Sequence, residues 1–157
     1  MITYVDTSVL LKLLVDDEAG TDAAERLWLE STYVVCAEIG YAEARAALAS
    51  MHRNGRLDDG SLRTARVQLD ALWEQIDVVA VTTEIVHAAG DLADDEGLRG
   101  YDAVHLASAI AAQATVVATA DTRLLEAALR RRFDVSNPLA ADELAADEPT
   151  SEPQTQG

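Results

Sequence analysis

One cysteine, one phenylalanine, three prolines and a single lysine are all that a chain of 157 residues carries of those types. Each scarcity excludes something. The lone Cys36 cannot close an internal disulfide, so stability must come from a packed core, and a reducing compartment is the natural setting. It lies in the apolar run 33–37, where a free cysteine behaves as a small buried hydrophobe. Aromatics make up only 4% of the chain, which leaves Ala, Val, Leu and Ile to build that core. Cationic surface is also short, because 28 acids against 12 Lys and Arg give a net charge of −16. That balance weighs against non-specific nucleic-acid binding, which works by neutralising phosphates. The acidic, lysine-poor, alanine-rich composition fits a halophilic or high-GC host, where surface carboxylates serve solubility.

Targeting signals are missing as well. No basic stretch precedes an apolar one at the N-terminus, so a signal peptide is not expected. One uncharged run, 103–120, is long enough to suggest a membrane helix. His105, Ser108, Gln113 and threonines interrupt it, and its second half is β-branched, so a helix followed by a strand explains it better. The expectation is a soluble, cytoplasmic protein that does not enter a membrane.

A chain of this length fits one domain. Short apolar strands are expected near 2–5, 33–36, 78–81, 115–119 and 133–135. Helical periodicity fills the gaps: after Thr7-Ser8, then near 21–30, 38–52, 58–75, 82–95, 102–113 and 121–132. Residues 16–20 read as a polar break and 98–101 as a turn. Strands alternating with helices imply a three-layer α/β/α sandwich on a short, mainly parallel sheet of four to five strands. That domain spans 1–138. The remainder, 139–157, is an acidic tail with too little apolar surface to offset its ordering entropy, and disorder is expected there.

Within this layout four acids occupy unusual places. Asp6 ends the first strand where the chain turns directly into a helix, at the carboxyl edge of a sheet, where ligands bind in open α/β folds. Asp121, in T-A-D-T after the fourth strand, belongs to the same edge if the strands are parallel. Asp102 opens the helix that feeds that strand, so its end of the helix returns to the same edge. Glu43 lies inside the third helix on a face shared with Ile39, Ala42, Ala46 and Ser50, small or apolar residues that turn it inward. Clustered carboxylates repel and are costly to bury unless compensated. A hard divalent cation such as Mg²⁺ or Mn²⁺ compensates them through oxygen ligands. The bland reading of Asp102 and Asp121 is that each simply caps a helix. Asp6 resists it, because Thr7 or Ser8 already offers a cap.

Four blocks carry a resemblance: V-D-T-S-V-L-L-K-L, A-E-I-G-Y-A-E-A-R-A-A-L, L-R-G-Y-D-A-V-H-L-A-S-A and V-V-A-T-A-D-T-R-L. In order and spacing they resemble PIN-domain proteins, in particular the VapC-type toxins of toxin–antitoxin pairs, over residues 1–138. The resemblance implies a PIN-like α/β/α fold and an acidic metal site made of Asp6, Glu43, Asp102 and Asp121. Thr7 or Ser8 would supply a hydroxyl that orients a ligand. The implied activity is Mg²⁺- or Mn²⁺-dependent endonucleolytic cleavage of RNA, leaving a 5′-phosphate and a 3′-hydroxyl. A small cognate antitoxin would hold it in check, and the implied assembly is a homodimer.

Other residues read less sharply. His105, one turn after Asp102, is more simply a packed, hydrogen-bonded histidine than a metal ligand, and His52 and His87 read as surface positions. Arg99 either meets a scissile phosphate or balances the carboxylates. Arg130–Arg132 suit a helix C-terminus, and with Arg53, Arg56, Arg63 and Arg66 they are the candidates for a local basic track. Leu27, Trp28, Leu69, Leu72 and Trp73 are most simply core, although the second and fourth helices could present a groove to an antitoxin helix. Phosphotransfer folds fit poorly: Ser8 stands where a dehalogenase-like phosphatase needs its second Asp, Lys12 is the only lysine, and no glycine-rich phosphate loop is present. A non-catalytic PIN-fold binding module acting through a protein partner is the rival from another class.

Overall fold

The computed structural model describes residues 1–15 and 19–140. Strands and helices alternate in the order β1 (Ile2–Val5), α1 (Thr7–Leu14), α2 (Thr21–Glu30), β2 (Tyr33–Ala37), α3 (Ile39–Arg53), α4 (Asp59–Trp73), β3 (Asp77–Val79), α5 (Thr83–Glu96), α6 (Gly100–Ala111), β4 (Val116–Ala118), α7 (Thr122–Arg130) and β5 (Asp134–Ser136). The strands form one sheet in the order β3-β2-β1-β4-β5, and every pairing is parallel. This is the α/β architecture expected from the alternation.

The topology places the site. The chain leaves β1, builds outward through β2 to β3, and returns to lay β4 on the other flank of β1. Right-handed crossovers therefore change face at this reversal. The packing records the change. Val5, Val34, Cys36 and Ala118 pack with Val9, Leu10 and Ala24 on one face. Tyr4, Val35, Ala37 and Val117 pack with residues of α5, α6 and α7 on the other. Alternation along β1, Tyr4 to one side and Val5 to the other, is the strand period of two at work. A further cluster joins Leu14 of α1 to Ala44 and Leu48 of α3 and to Leu62 and Leu69 of α4.

Two glycines shape the approach to the site. A Cβ at Gly40 would lie 2.5 Å from Cys36 Sγ, so glycine lets the start of α3 sit directly on β2 and sets the height of Glu43 one turn later. Gly97, at φ 66°, closes α5 in the left-handed conformation and lets the chain reverse into α6.

Several boundaries differ from expectation for physical reasons. Strand β3 stops at Val79, because the Val81 N–H donates to Glu38 Oε1 instead of a neighbouring strand. The second half of the expected turn at 98–101 is already the start of α6, since the Ala103 N–H reaches the carbonyl of Arg99, the N-cap. Asp102 is consequently the third residue of that helix and not its cap. The expected tail begins in helical backbone, with Asn137 Oδ1 accepting from the Leu139 N–H. Its remainder from 141, and residues 16–18 of the expected polar break, lie outside the described residues. Among the described residues no helix is long and apolar enough to cross a membrane.

Candidate active site at the carboxyl edge of the sheet

Between β1 and β4 the strand order reverses, which opens a crevice at the carboxyl ends of the two central strands. Asp6 and Asp121 are placed there by those strand ends, Asp102 by the start of α6, and Glu43 by α3. Three of the four sequence-expected acids, Asp6, Asp102 and Asp121, join one hydrogen-bonded network through Thr119 and Arg99, and Glu43 belongs to a second one with Thr7, His105 and Tyr4.

Asp6 is the deepest. It is 6% exposed, and both carboxylate oxygens are occupied. Oδ1 accepts from Ser8 Oγ at 2.5 Å and from the Val9 N–H at 3.2 Å, and Oδ2 accepts from Thr119 Oγ1 at 2.6 Å. The Val9 bond makes Asp6 itself the N-cap of α1. The expectation that Thr7 or Ser8 caps this helix is therefore corrected. Their hydroxyls are drawn elsewhere, Ser8 to Asp6 and Thr7 to Glu43. Burial raises the pKa of Asp6 above the usual aspartate value, against the pull of the Ser8 and Thr119 hydroxyls.

Glu43 receives two bonds on one oxygen: Thr7 Oγ1 donates to Oε2 at 2.7 Å, and His105 Nε2 lies 2.6 Å from it. Burial opposes its ionisation, but the hydrogen bond from His105, helped by that from Thr7, outweighs it and holds the pKa below the ordinary glutamate value. Behind His105, the Tyr4 hydroxyl lies 2.7 Å from Nδ1 and accepts the Ala37 N–H at 3.1 Å. With its oxygen already accepting from Ala37, the phenol donates to Nδ1, which places the imidazole proton on Nε2, facing Glu43. Burial first, and then the neighbouring Cys36 and Asp6, raise the Tyr4 pKa, so the phenol keeps its proton. The Cys36 thiol is likewise pushed up, by burial and then by the charges of Asp6 and Glu43, and it is buried as expected.

The outer pair is held differently. Arg99 Nε donates to Asp102 Oδ2 at 2.9 Å, and its terminal Nη2 donates to Asp121 Oδ2 at 3.1 Å. Asp102 and Asp121 are 15% and 29% exposed at their side chains, while the arginine that joins them is 69% exposed. Asp121 also caps α7 through the Arg123 and Leu124 amides, so its capping and site roles coexist. Its own N–H donates to Thr119 Oγ1, the hydroxyl that holds Asp6. Thr119 thus ties Asp6 to Asp121.

Among the described residues no group of three or more His, Cys, Asp or Glu stands ready-made as a metal cage. The donor set nevertheless fits a hard divalent cation: the side chains at the edge offer carboxylate and hydroxyl oxygens. One cation, the Arg99 guanidinium, already bridges two of the acids.

Residues 3–129 match the model of the PIN domain. The chain belongs to the PIN-domain family. Ribonuclease VapC45 of Mycobacterium tuberculosis is 38% identical to this PIN-domain chain over 125 residues, covering 78% of the chain and 86% of the relative. VapC49 of the same species matches to the same extent. Among solved structures, PAE2754 from Pyrobaculum aerophilum superposes with a TM-score of 0.68 at 21% identity, covering 93% of this chain and 90% of that one. A toxin–antitoxin complex from Klebsiella pneumoniae gives 0.63 at 15% identity, covering 87% and 97%. At such identities these two likenesses speak for the PIN fold alone.

Two residues of this PIN domain's site were not anticipated. Tyr4 lies within the expected strand 2–5, and nothing in that run marks its hydroxyl as a partner of His105. Thr119 was visible two residues before Asp121, but nothing in the chain showed that its hydroxyl reaches Asp6, 113 residues away. His105 is the buried, hydrogen-bonded histidine expected. His52 is more than a bare surface position, with Nε2 lying 2.8 Å from Asp59 Oδ1. The expected basic track loses two members, because Arg130 and Arg131 are paired to Glu96 and Arg131 also to Asp95. Leu69 is core with Leu72 packed partly buried against its cluster, and Leu27, Trp28 and Trp73 pack partly buried against the cluster of Val5, Val9 and Leu10.

Proposed function

We propose that this PIN domain is the ribonuclease toxin of a toxin–antitoxin pair, cutting RNA phosphodiesters with Mg²⁺ or Mn²⁺ held by Asp6, Glu43, Asp102 and Asp121. The reading is supported by where the fold puts these acids: Asp6 and Asp121 follow the two strands at which the strand order reverses, Asp102 shares Arg99 with Asp121, and Glu43 is bonded to Thr7, the residue after Asp6. The named ribonuclease relatives support the choice of substrate. When bound, the ion supplies charge neutralisation and water activation for attack on phosphorus. The protein's own part is positional. Ser8 and Thr119 hold Asp6, Thr7 and His105 hold Glu43, and Asp121 is held by two backbone amides. Arg99, released from Asp102 and Asp121, is a suitable donor to an RNA phosphate.

A small antitoxin is the proposed partner, as one solved neighbour is itself a toxin–antitoxin complex. A cavity of about 270 Å³ lined by Leu13, Glu25, Trp28, Leu29 and Leu72, with Leu29 83% exposed, suits the apolar side of a partner helix. The assembly proposed for the toxin itself is a homodimer.

The test is incubation of a total-RNA pool with Mn²⁺, with EDTA and the Asp6→Asn protein as controls. The expected result is cleavage by the wild type that both controls abolish, and Asp102→Asn should fail likewise while remaining folded. Full cleavage by both variants at wild-type metal dependence would overturn the reading. A second reading, a non-catalytic binding module, draws on Arg99, which neutralises two of the four acids. A folded protein that never cuts RNA yet is bound by an adjacent small partner would favour it.

A further inference from the structure

Three elements of this domain spend buried polar groups on a single glutamate oxygen. The path starts at the Ala37 N–H of β2, passes through the Tyr4 phenol of β1 and the His105 ring of α6, and ends on Glu43 Oε2 of α3. Tyr4 is 0% exposed and His105 3%. Thr7 of α1 donates to that same Oε2 from its other side, while Oε1 receives no hydrogen bond from the described residues. A polar chain that served only to fill the core would end inside it. This one ends on a part-exposed carboxylate at the crevice, and every link before that carboxylate is satisfied.

We propose that His105, aimed by Tyr4, is a positioning residue that anchors Oε2 of Glu43 and so dedicates Oε1 to the cation site. The proposal rests on the metal-site reading above. Sharing of the two oxygens has a chemical logic. A glutamate on a helix has three rotatable side-chain bonds, and a carboxylate free to swing would lose its place whenever the ion left. An imidazole N–H fixed at its far nitrogen by a buried phenol restricts both the position and the plane of the carboxylate. Groups that orient a ligand in this way typically govern metal affinity almost as strongly as the ligands do.

Mn²⁺ affinity, read by isothermal titration calorimetry over a double-mutant cycle, tests this directly. His105→Leu should weaken Mn²⁺ binding about 10- to 100-fold in the otherwise wild-type protein. In the Glu43→Gln background it should weaken binding by less than about two-fold, because the group it positions is gone. His105→Gln, which keeps an N–H within reach of Oε2, should recover most of the affinity. Tyr4→Phe, nearly isosteric, should show a smaller loss with the same dependence on Glu43, and it carries the test if His105→Leu does not fold. Equal losses in both backgrounds, or wild-type affinity in folded His105→Leu and Tyr4→Phe, would overturn the positioning role while leaving the metal site intact. A wild-type protein that takes up no Mn²⁺ would overturn both.

Discussion

Asp6 and Glu43 are held by neutral donors that the fold itself delivers: two side-chain hydroxyls and a helix amide for the first, a hydroxyl and an imidazole for the second. Asp102 and Asp121 share one solvent-exposed arginine, and Asp121 is also held by two helix amides. The inner pair is therefore held by the architecture itself, without a cation. The outer pair is joined only through a positive charge, carried by an exposed side chain. The difference suggests a division of labour, in which the inner acids define where the site is and the outer acids respond to what occupies it.

The largest effect should come from the residue that links the two pairs. Thr119→Val keeps the shape but removes the hydroxyl that donates to Asp6 and accepts from the Asp121 N–H. Each buried group left without its partner should cost about 1–3 kcal/mol, read as a lower urea midpoint. A midpoint unchanged from wild type would mean that the inner pair is not held as described.

A smaller effect, with opposite signs for the two inner acids, should appear in the pH dependence of stability measured in EDTA. Asp6 has a raised folded pKa, so its contribution is fullest below the unfolded aspartate value and is lost as pH rises through the folded one. Glu43 has a lowered folded pKa, so its contribution is present above the unfolded glutamate value and is lost as pH falls through the folded one. Asp6→Asn should therefore flatten a loss on the alkaline side of this window, and Glu43→Gln a loss on the acid side. Matching slopes for the two variants would break the contrast between their environments.

The smallest structural effect should follow Arg99→Gln. Exposed ion pairs contribute little to folding, so its urea midpoint should stay at the wild-type value. Mn²⁺ should bind more tightly, because a competing cation has been removed. A large loss of stability would place Arg99 with the inner pair and erase the distinction.

The parts of this account that were legible in the chain are those written in local pattern. A strand ending in Asp6 and running straight into a helix announced a sheet edge, and alternation of strands and helices announced the parallel sheet. The inward face of α3 pointed to Glu43. The illegible parts are side-chain partners across the sheet. Thr7 and Ser8 have the chemistry of helix caps; the resemblance implied an orienting hydroxyl from one of them, but no local pattern records that they turn to Glu43 and Asp6. Tyr4, His105 and Glu43 meet across separations of 101 and 62 residues, which a helical or strand period does not encode. The same blindness made Arg130 and Arg131 look like free cations, since Asp95 and Glu96 lie on a different helix. Gly100 suggested a turn where the backbone had already begun to coil.

The central claim, that four acids from four elements make one cation site, is met most directly by a crystal structure of the wild-type protein soaked in Mn²⁺. The expected result is an anomalous peak at the β1/β4 crevice, about 2.1 Å from carboxylate oxygens of both pairs, with Arg99 withdrawn from Asp102 and Asp121. A fully soaked crystal with no peak there, and Arg99 still bridging the two acids, would contradict it.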